Sequence, residues 1–174
     1  MVEPVTLQTL LTYLTLISVP IGVFYHIMTV RNSSKNQKLQ LETRQIQLFM
    51  QIYNHYNEIE FAKHIVGPLF LWDWEDVDEF WELYGPENDV EAYAKWTSVL
   101  NFFKGVGVLV QRNQIDISIV YDLLFSMFEP LWEKWEPIIK LHRVRYNVPT
   151  AWAATEYLYN ELMKYVEEHP ELKP

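Results

Sequence analysis

Hydrophobic positions dominate the first part of the chain. No Lys, Arg, Asp or Glu occurs in the 27 residues from Pro4 to Val30, and a helix needs about 20 apolar residues to cross a bilayer. A secretory signal peptide would have a basic start and an A-x-A-like cleavage site, whereas Glu3 precedes this segment. A buried soluble helix is rarely free of charge over such a length. The pattern therefore predicts a transmembrane helix that bends at Pro20.

Small and polar residues recur on one face of this apolar segment. Five of them fall at helical spacing, with Val19 filling the gap: Gln8, Thr12, Thr15, Gly22 and His26. Such residues let two helices approach and hydrogen-bond within a membrane. Two interpretations remain open: a contact stripe for a second transmembrane helix, or tolerated polar residues on a lone anchor.

Basic residues follow the apolar segment directly. They are Arg31, Lys35, Lys38 and Arg44, and Glu42 is the single acid among them. The positive-inside bias therefore predicts a cytoplasmic C-terminal side and an N-terminus outside the cell membrane. The four basic residues are also candidates for contact with anionic lipid headgroups. We accordingly expect a single-pass protein whose first partner is the lipid bilayer.

Apolar positions at helical spacing continue along the rest of the chain. Helices are predicted over residues 34–66, 69–84, 89–112, 116–129, 131–146 and 150–168, with interruptions at Pro130 and Pro137. No stretch of useful length alternates as a strand does. The prediction is an all-α protein with three parts: a transmembrane anchor (1–33), a long juxtamembrane amphipathic helix (34–67) and a bundle domain (68–174). About five to six helices are expected after the anchor.

Local signals refine these helices. Asn88 or Asp89 is predicted to cap the helix over 89–112. Asp116 or Ser118 is predicted to start the helix over 116–129. Gly105 and Gly107 lie inside the helix over 89–112, where they lower helix propensity and favour the close approach of a neighbour.

Composition narrows the possible chemistry. The chain has 49% hydrophobic and 16% aromatic residues, which is enough for a core packed with large rings. It has no Cys, which excludes disulfides, thiolate metal sites and a Cys nucleophile. The net charge of −9 argues against nucleic-acid binding, because such binding needs a basic face.

Acidic and aromatic residues are interleaved in the middle of the chain. Nine acids and no Lys or Arg occur from Asp73 to Glu91. Rings beside charges can anchor a basic protein partner. The candidate partner surface is Trp72, Trp74, Asp76, Glu79 and Trp81. The alternative is a solvated acidic helix whose Trp side chains face the core, because Trp is normally highly buried.

No catalytic, cofactor or metal site is expected. Gly105-Val106-Gly107 lacks the preceding strand and the third glycine of a dinucleotide loop. Glu60 and His64 share a helix face, but a di-iron bundle needs Glu-x-x-His on two helices. His142 and His169 lie near predicted helix ends, where a protonated imidazole complements the helix dipole.

A run of packing residues resembles a known family. The run comprises Asn101-Phe102-Phe103, 105–110, Ile115-Asp116, Val120-Tyr121, Trp132, 135–138 and Arg143. It resembles an uncharacterised family of small prokaryotic single-pass membrane proteins with a helical domain of unknown function. Members often have Gly in the turn before Ile-Asp, and here Asn113-Gln114 stands there; Asn also tolerates a left-handed backbone. The resemblance implies the topology and the helical fold, and it supplies no catalytic residue.

Together these patterns predict a membrane-tethered helical interaction or accessory protein. It would bind another membrane protein or a second copy of itself. The alternative is a membrane-bound ligand sensor or enzyme with an aromatic-lined pocket.

Overall fold

The computed structural model describes residues 6–172; residues 1–5 and 173–174 lie outside the described range, and with them Glu3 and Pro4 at the start of the predicted anchor. Within residues 6–172 the fold is all-α and contains no strand, which confirms the predicted fold class. The helices are α1 (Leu7–Tyr56), α2 (Ile59–Val66), α3 (Val77–Tyr84), α4 (Val90–Gln111), α5 (Ile117–Arg145) and α6 (Ala153–Glu168). A π-helical turn occupies Gly67–Leu71 and a 3-10 turn Pro170–Leu172.

The chain divides into two compact units between Ile46 and Gln47. The described part of the first unit is the N-terminal portion of α1, and none of its residues is buried. Four of its threonine hydroxyls, those of Thr12, Thr15, Thr29 and Thr43, donate hydrogen bonds to carbonyls one turn back, for example from Thr29 to Tyr25 over 2.8 Å. These hydroxyls therefore need no solvent partner.

The second unit has a core built around large rings. Helix α6 packs against both α4 and α5, α2 packs on α4, and α3 packs on both α4 and α5. Trp96 on α4 is fully buried, and its ring lies 6.1 Å from Trp135 of α5 and 5.4 Å from Trp152, which precedes α6. Interlocked rings of this size supply much of the apolar burial that holds the three helices together.

One glycine sets the distance between α4 and α6. A Cβ at Gly107 would collide with the backbone carbonyl of Ala154, whereas a Cβ at Gly105 would meet no atom within 4 Å. The predicted close approach is therefore confirmed at Gly107 and wrong at Gly105.

Two predictions of where a helix starts or ends differ from the structure. The break near Pro130 is wrong, because α5 runs without interruption from Ile117 to Arg145 with Pro130 and Pro137 inside it. An internal proline costs a helix about 3 kcal/mol, and here both prolines are offset by the apolar face of α5, where Trp132 and Trp135 are buried.

The predicted helix over 34–66 is also wrong in its bounds. Helix α1 already begins at Leu7 and ends at Tyr56, after which Glu58 is extended and α2 starts at Ile59. The side chain of Asn57 donates to the carbonyl of Tyr53 over 2.7 Å, which satisfies an acceptor at the end of α1.

Three other termini are settled by local chemistry. Asp89 caps α4 and Asp116 caps α5, each through a 2.9 Å bond from a backbone N–H to its carboxylate. Helix α3 starts at Val77 rather than residue 69, because the π-helical turn precedes it. Asn113, in the turn before Ile115-Asp116, takes a left-handed φ of 52°, which Asn tolerates.

Candidate functional site

The first candidate surface is the polar stripe on α1. All five of its residues are exposed along the helix: Gln8, Thr12, Thr15, Gly22 and His26. At about 100° per residue they fall within an arc of about 80°. The hydroxyl of Thr12 donates to the carbonyl of Gln8 over 2.8 Å, and that of Thr15 to the carbonyl of Leu11. Both hydroxyls keep a lone pair that can accept a hydrogen bond from a neighbouring helix. The contact stripe itself stays a prediction.

The second candidate surface is the basic segment after the apolar stretch. Arg31, Lys35 and Lys38 share one face of α1, and Lys38 lies 4.0 Å from Glu42 on the same face. Arg44 lies about 140° around the helix from Arg31, because 13 residues separate them. Headgroup contact through one face therefore includes three of the four predicted residues, and it remains untested.

The third candidate surface, the acidic aromatic segment, makes many contacts within the chain. Asp76 caps α3 by accepting the N–H of Glu79 over 2.9 Å, and Glu79 accepts the N–H of Glu75. Trp81 is 3% exposed and belongs to the core. The structure thus assigns capping roles to both acids, and the ring of Trp81 is not at the surface.

Trp72 and Trp74 are half-buried, and both make specific contacts. Trp72 stacks on Tyr84 with a ring separation of 4.3 Å, and the ammonium of Lys134 lies 4.3 Å from the ring centre of Trp74. The same ammonium donates to the carbonyls of Leu69 and Trp72 over 3.2 and 2.8 Å. Partner binding through this segment remains a prediction, with the outer edges of Trp72 and Trp74 as its aromatic part.

A fourth site, which the sequence reasoning missed, is a cleft in the second unit. Its volume is about 530 Å³, and its walls come from α4, the end of α5 and the loop before α6. The lining residues are Tyr93, Thr97, Asn101, Lys104, His142, Val148, Thr150, Ala151 and Trp152. The four α4 residues recur at a spacing of three or four, so they form one polar face of that helix.

His142 forms the floor of this cleft. It is 7% exposed, and rings surround it: Trp152 at 4.6 Å, Tyr146 at 4.7 Å and Trp81 at 5.7 Å. Its Nε2 lies 3.3 Å from the hydroxyl of Tyr93, and its buried Nδ1 has no hydrogen-bond partner within residues 6–172. Burial lowers the pKa of His142 below its ordinary value of 6.5. Burial therefore favours the neutral imidazole of His142 and works against the cationic role expected at the helix end.

The cleft wall is held in place by polar contacts. The indole N–H of Trp152 donates to Oδ1 of Asn101 over 3.1 Å. Arg143 donates from Nε to the carbonyl of Ala151 over 2.9 Å, and its guanidinium lies 2.7 Å from Glu156. Trp152 itself has a φ of 52°, a left-handed conformation that a large side chain rarely adopts. The Trp152 bond ties the loop from α5 to α6 to helix α4, and the Arg143 contacts tie that loop and α6 to α5.

Sequence reasoning had one signal for the cleft. Tyr93, Thr97, Asn101 and Lys104 form a polar stripe beside the apolar face of α4. What it lacked was the pairing of that stripe with His142 and Trp152, which only tertiary packing brings about.

Glu60, His64 and the nearby His55 each have a partner within the chain. His55 pairs with Glu58 at 3.0 Å, and His64 lies 3.0 Å from the hydroxyl of Ser98. Glu60 pairs with Lys63 at 2.6 Å. Over residues 6–172, no three His, Asp or Glu side chains are grouped as metal ligands.

Over residues 6–172, fold and surfaces together define a class: an all-α protein with one helix long and apolar enough, by length and composition, to cross a membrane. The family described as domain of unknown function, DUF4760, matches residues 16–162. The chain belongs to this family, which confirms the resemblance to an uncharacterised domain family. No curated protein and no solved structure matches the chain.

Proposed function

We propose that this protein is a single-pass membrane protein that binds another membrane protein through its transmembrane helix. The observation that carries the proposal is the uncovered apolar surface of α1. Large side chains such as Leu14, Ile21 and Phe24 are more than half exposed, and no residue of α1 is buried. A surface of this kind is stable in lipid or against another protein, and costly in water.

A soluble core helix and a signal sequence both fit the apolar N-terminal helix less well than a membrane anchor does. A core helix of a soluble protein is mostly buried, whereas none of the apolar window of α1 is buried. A removable signal sequence would be cut from the mature domain, but α1 continues to Tyr56, where Leu48, Ile52 and Tyr56 pack against the core. Continuity of the helix therefore supports a retained anchor.

The charge pattern supports one orientation in the cell membrane. Arg31, Lys35 and Lys38 follow the apolar segment on one helix face, which favours the cytoplasm for the C-terminal domain and the outside for the residues before Leu7. The same three cations are close enough to the span to contact anionic headgroups.

The stripe from Gln8 to His26 is the proposed contact with a partner's transmembrane helix. Its hydroxyls are bonded to the backbone of α1, so they are compatible with lipid, and their free lone pairs can accept bonds across a helix pair. Gly22 lets the partner backbone approach closely.

Cysteine cross-linking tests the stripe, because the chain has no native Cys and each introduced thiol is unique. Thr12→Cys and Thr15→Cys lie on the stripe, and Ile17→Cys, about 180° from Gln8, is the matched control on the opposite face. In native membranes we expect the stripe variants to cross-link to a second polypeptide at a yield several-fold above the control.

The size of the cross-linked species separates the possible partners. A product that contains a different protein, identified by mass spectrometry, would show that this chain is an accessory subunit of that protein. A product of twice the chain mass shows self-association instead. Equal labelling of all three positions by a lipid-soluble probe, without cross-links, would show a lone anchor and disprove the binding role.

A further inference from the structure

We propose that the cleft above His142 binds a small oxyanion, a carboxylate or a phosphate group, through Lys104, Asn101 and Thr150. The cleft volume of about 530 Å³ suits a small molecule rather than a protein segment. Its open side carries polar side chains, while its inner side is formed by His142 and Trp152.

The orientation of Asn101 makes it a donor to a ligand. Indole N–H groups only donate, so the 3.1 Å bond from Trp152 identifies the amide atom that accepts it as Oδ1. The amide nitrogen Nδ2, with two hydrogens, is then the group of Asn101 that can donate to a ligand. Lys104, one turn further along α4, adds three N–H donors and a positive charge.

The charge of the lining also selects an anion. The chain carries a net charge of −9, yet none of the described residues that line the cleft is Asp or Glu. Lys104 is the only fully charged side chain among them. A positive charge in the cleft attracts an anion, and the bound anion meets no carboxylate in the cleft lining that would repel it.

The floor explains why a ligand would be bound rather than merely attracted. His142 is buried and its Nδ1 lacks a hydrogen-bond partner among residues 6–172, while Trp152 is 7% exposed and strained at a φ of 52°. Unpaired buried polar groups and backbone strain cost stability, and strained residues cluster at binding and active sites. Val148 and Ala151 add apolar wall for the body of the ligand.

Ligand titration of the full-length chain in a zwitterionic detergent tests the site. Inorganic phosphate and benzoate are the two free probes, and short-chain phosphatidic acid supplies the same chemistry as a lipid headgroup. The readout is the NMR signal of the Trp152 indole N–H, identified by its loss in Trp152→Phe. We expect a saturable shift with at least one probe.

A matched pair of charge variants checks the assignment. Lys104→Gln should weaken binding at least about tenfold, the effect of losing a hydrogen bond from a charged group. Lys95→Gln removes the same charge from the same helix, but Lys95 pairs with Glu91 at 2.6 Å and does not line the cleft. That control should bind as the wild type does.

The outcomes are distinct. Tightest binding of phosphatidic acid supports a headgroup, tightest binding of phosphate or benzoate supports a free small molecule, and either supports the oxyanion site. The absence of a saturable shift with all three probes overturns it. Equal weakening by Lys95→Gln and Lys104→Gln does so too, because it indicates unspecific charge attraction.

Discussion

At the scale of single residues, His142 shows how burial changes the chemistry of a side chain. Near the end of α5 its cation would be favoured by the helix dipole. Inside a shell of rings it loses more solvation than the dipole returns, and its pKa is lowered. Two titratable groups lie against its ring: the Tyr93 hydroxyl, 3.3 Å from Nε2, and the ring of Tyr146, 4.7 Å away.

We predict that His142 makes the protein less stable in acid. Its pKa is lower in the folded chain than the ordinary 6.5, so the unfolded chain binds more protons as the pH falls below that value. The titration of His142 should leave the free energy of unfolding unchanged above about pH 7. Below that pH it should lower the free energy of unfolding by at most about 1.4 kcal/mol per pH unit. Denaturant unfolding followed by near-ultraviolet circular dichroism measures this loss.

His142→Phe is the control for that experiment. It keeps an aromatic ring within the shell and removes the titrating group, so the difference in stability between variant and wild type isolates His142 from the other histidines. An identical pH dependence in both proteins would contradict the prediction.

At the scale of helices, close packing and local chemistry act in different places. Helix α5 remains continuous across two prolines because residues on both sides of the prolines are buried in the same core. The turn after α2 is less completely buried. Lys134 holds its carbonyls, yet Phe70 and Leu71 are 65% and 75% exposed. The polar bonds from Lys134 therefore add to the burial of Pro68 and the packing of Leu69 in holding this turn.

Gly107→Ala should destabilise the contact between α4 and α6. The added methyl group meets the backbone of Ala154, which cannot rotate away as a side chain does. Overpacking of this kind costs about 1–3 kcal/mol. Gly105→Ala is the matched control: its methyl group meets no atom within 4 Å, so helix propensity should raise stability by up to about 1 kcal/mol. Thermal unfolding of both variants gives opposite signs if this packing is correct.

Lys134→Met should loosen the turn without unfolding the core. The variant keeps a long apolar stem and loses two hydrogen bonds and the contact with Trp74. Hydrogen exchange by mass spectrometry should show faster exchange in residues 67–76 and unchanged exchange in α4. Unchanged exchange in the turn would mean that neighbouring rings alone hold it.

At the scale of the whole molecule, charge is divided along the sequence. Four of the fourteen Lys and Arg residues lie between residues 31 and 44, and most acids lie beyond them. Cations beside an apolar span orient it, whereas acids further along contribute little to orientation. The proposed topology therefore depends on a short segment of α1.

A labelling experiment tests this topology. Ser126 is exposed on α5, and Ser126→Cys introduces the only thiol of the chain. We expect a membrane-impermeant maleimide to label it only after cells are permeabilised. Replacing Arg31, Lys35 and Lys38 with Gln in the same background should raise the fraction labelled in intact cells. Full labelling of the starting variant in intact cells would reverse the proposed orientation.

The amino-acid sequence by itself determined the helical class, the apolar segment of α1 and the N-caps of α4 and α5. These features depend on residues within a few turns of one another: periodic apolar positions, missing charges, and carboxylates such as Asp89 and Asp116 beside free N–H groups. Helix bounds near Pro130 and Tyr56 were wrong, because local rules do not include the stabilisation from distant packing.

Tertiary structure alone decided the candidate cleft and the role of the Trp residues. The cleft joins α4 residues around Asn101 to His142 and Trp152, which lie about 40 to 50 positions further along the chain. Likewise, only packing separates Trp81 in the core from the half-buried Trp74. The spacing of residues along the sequence determines which side chains lie on the same face of a helix. What that face packs against depends on how the helices assemble.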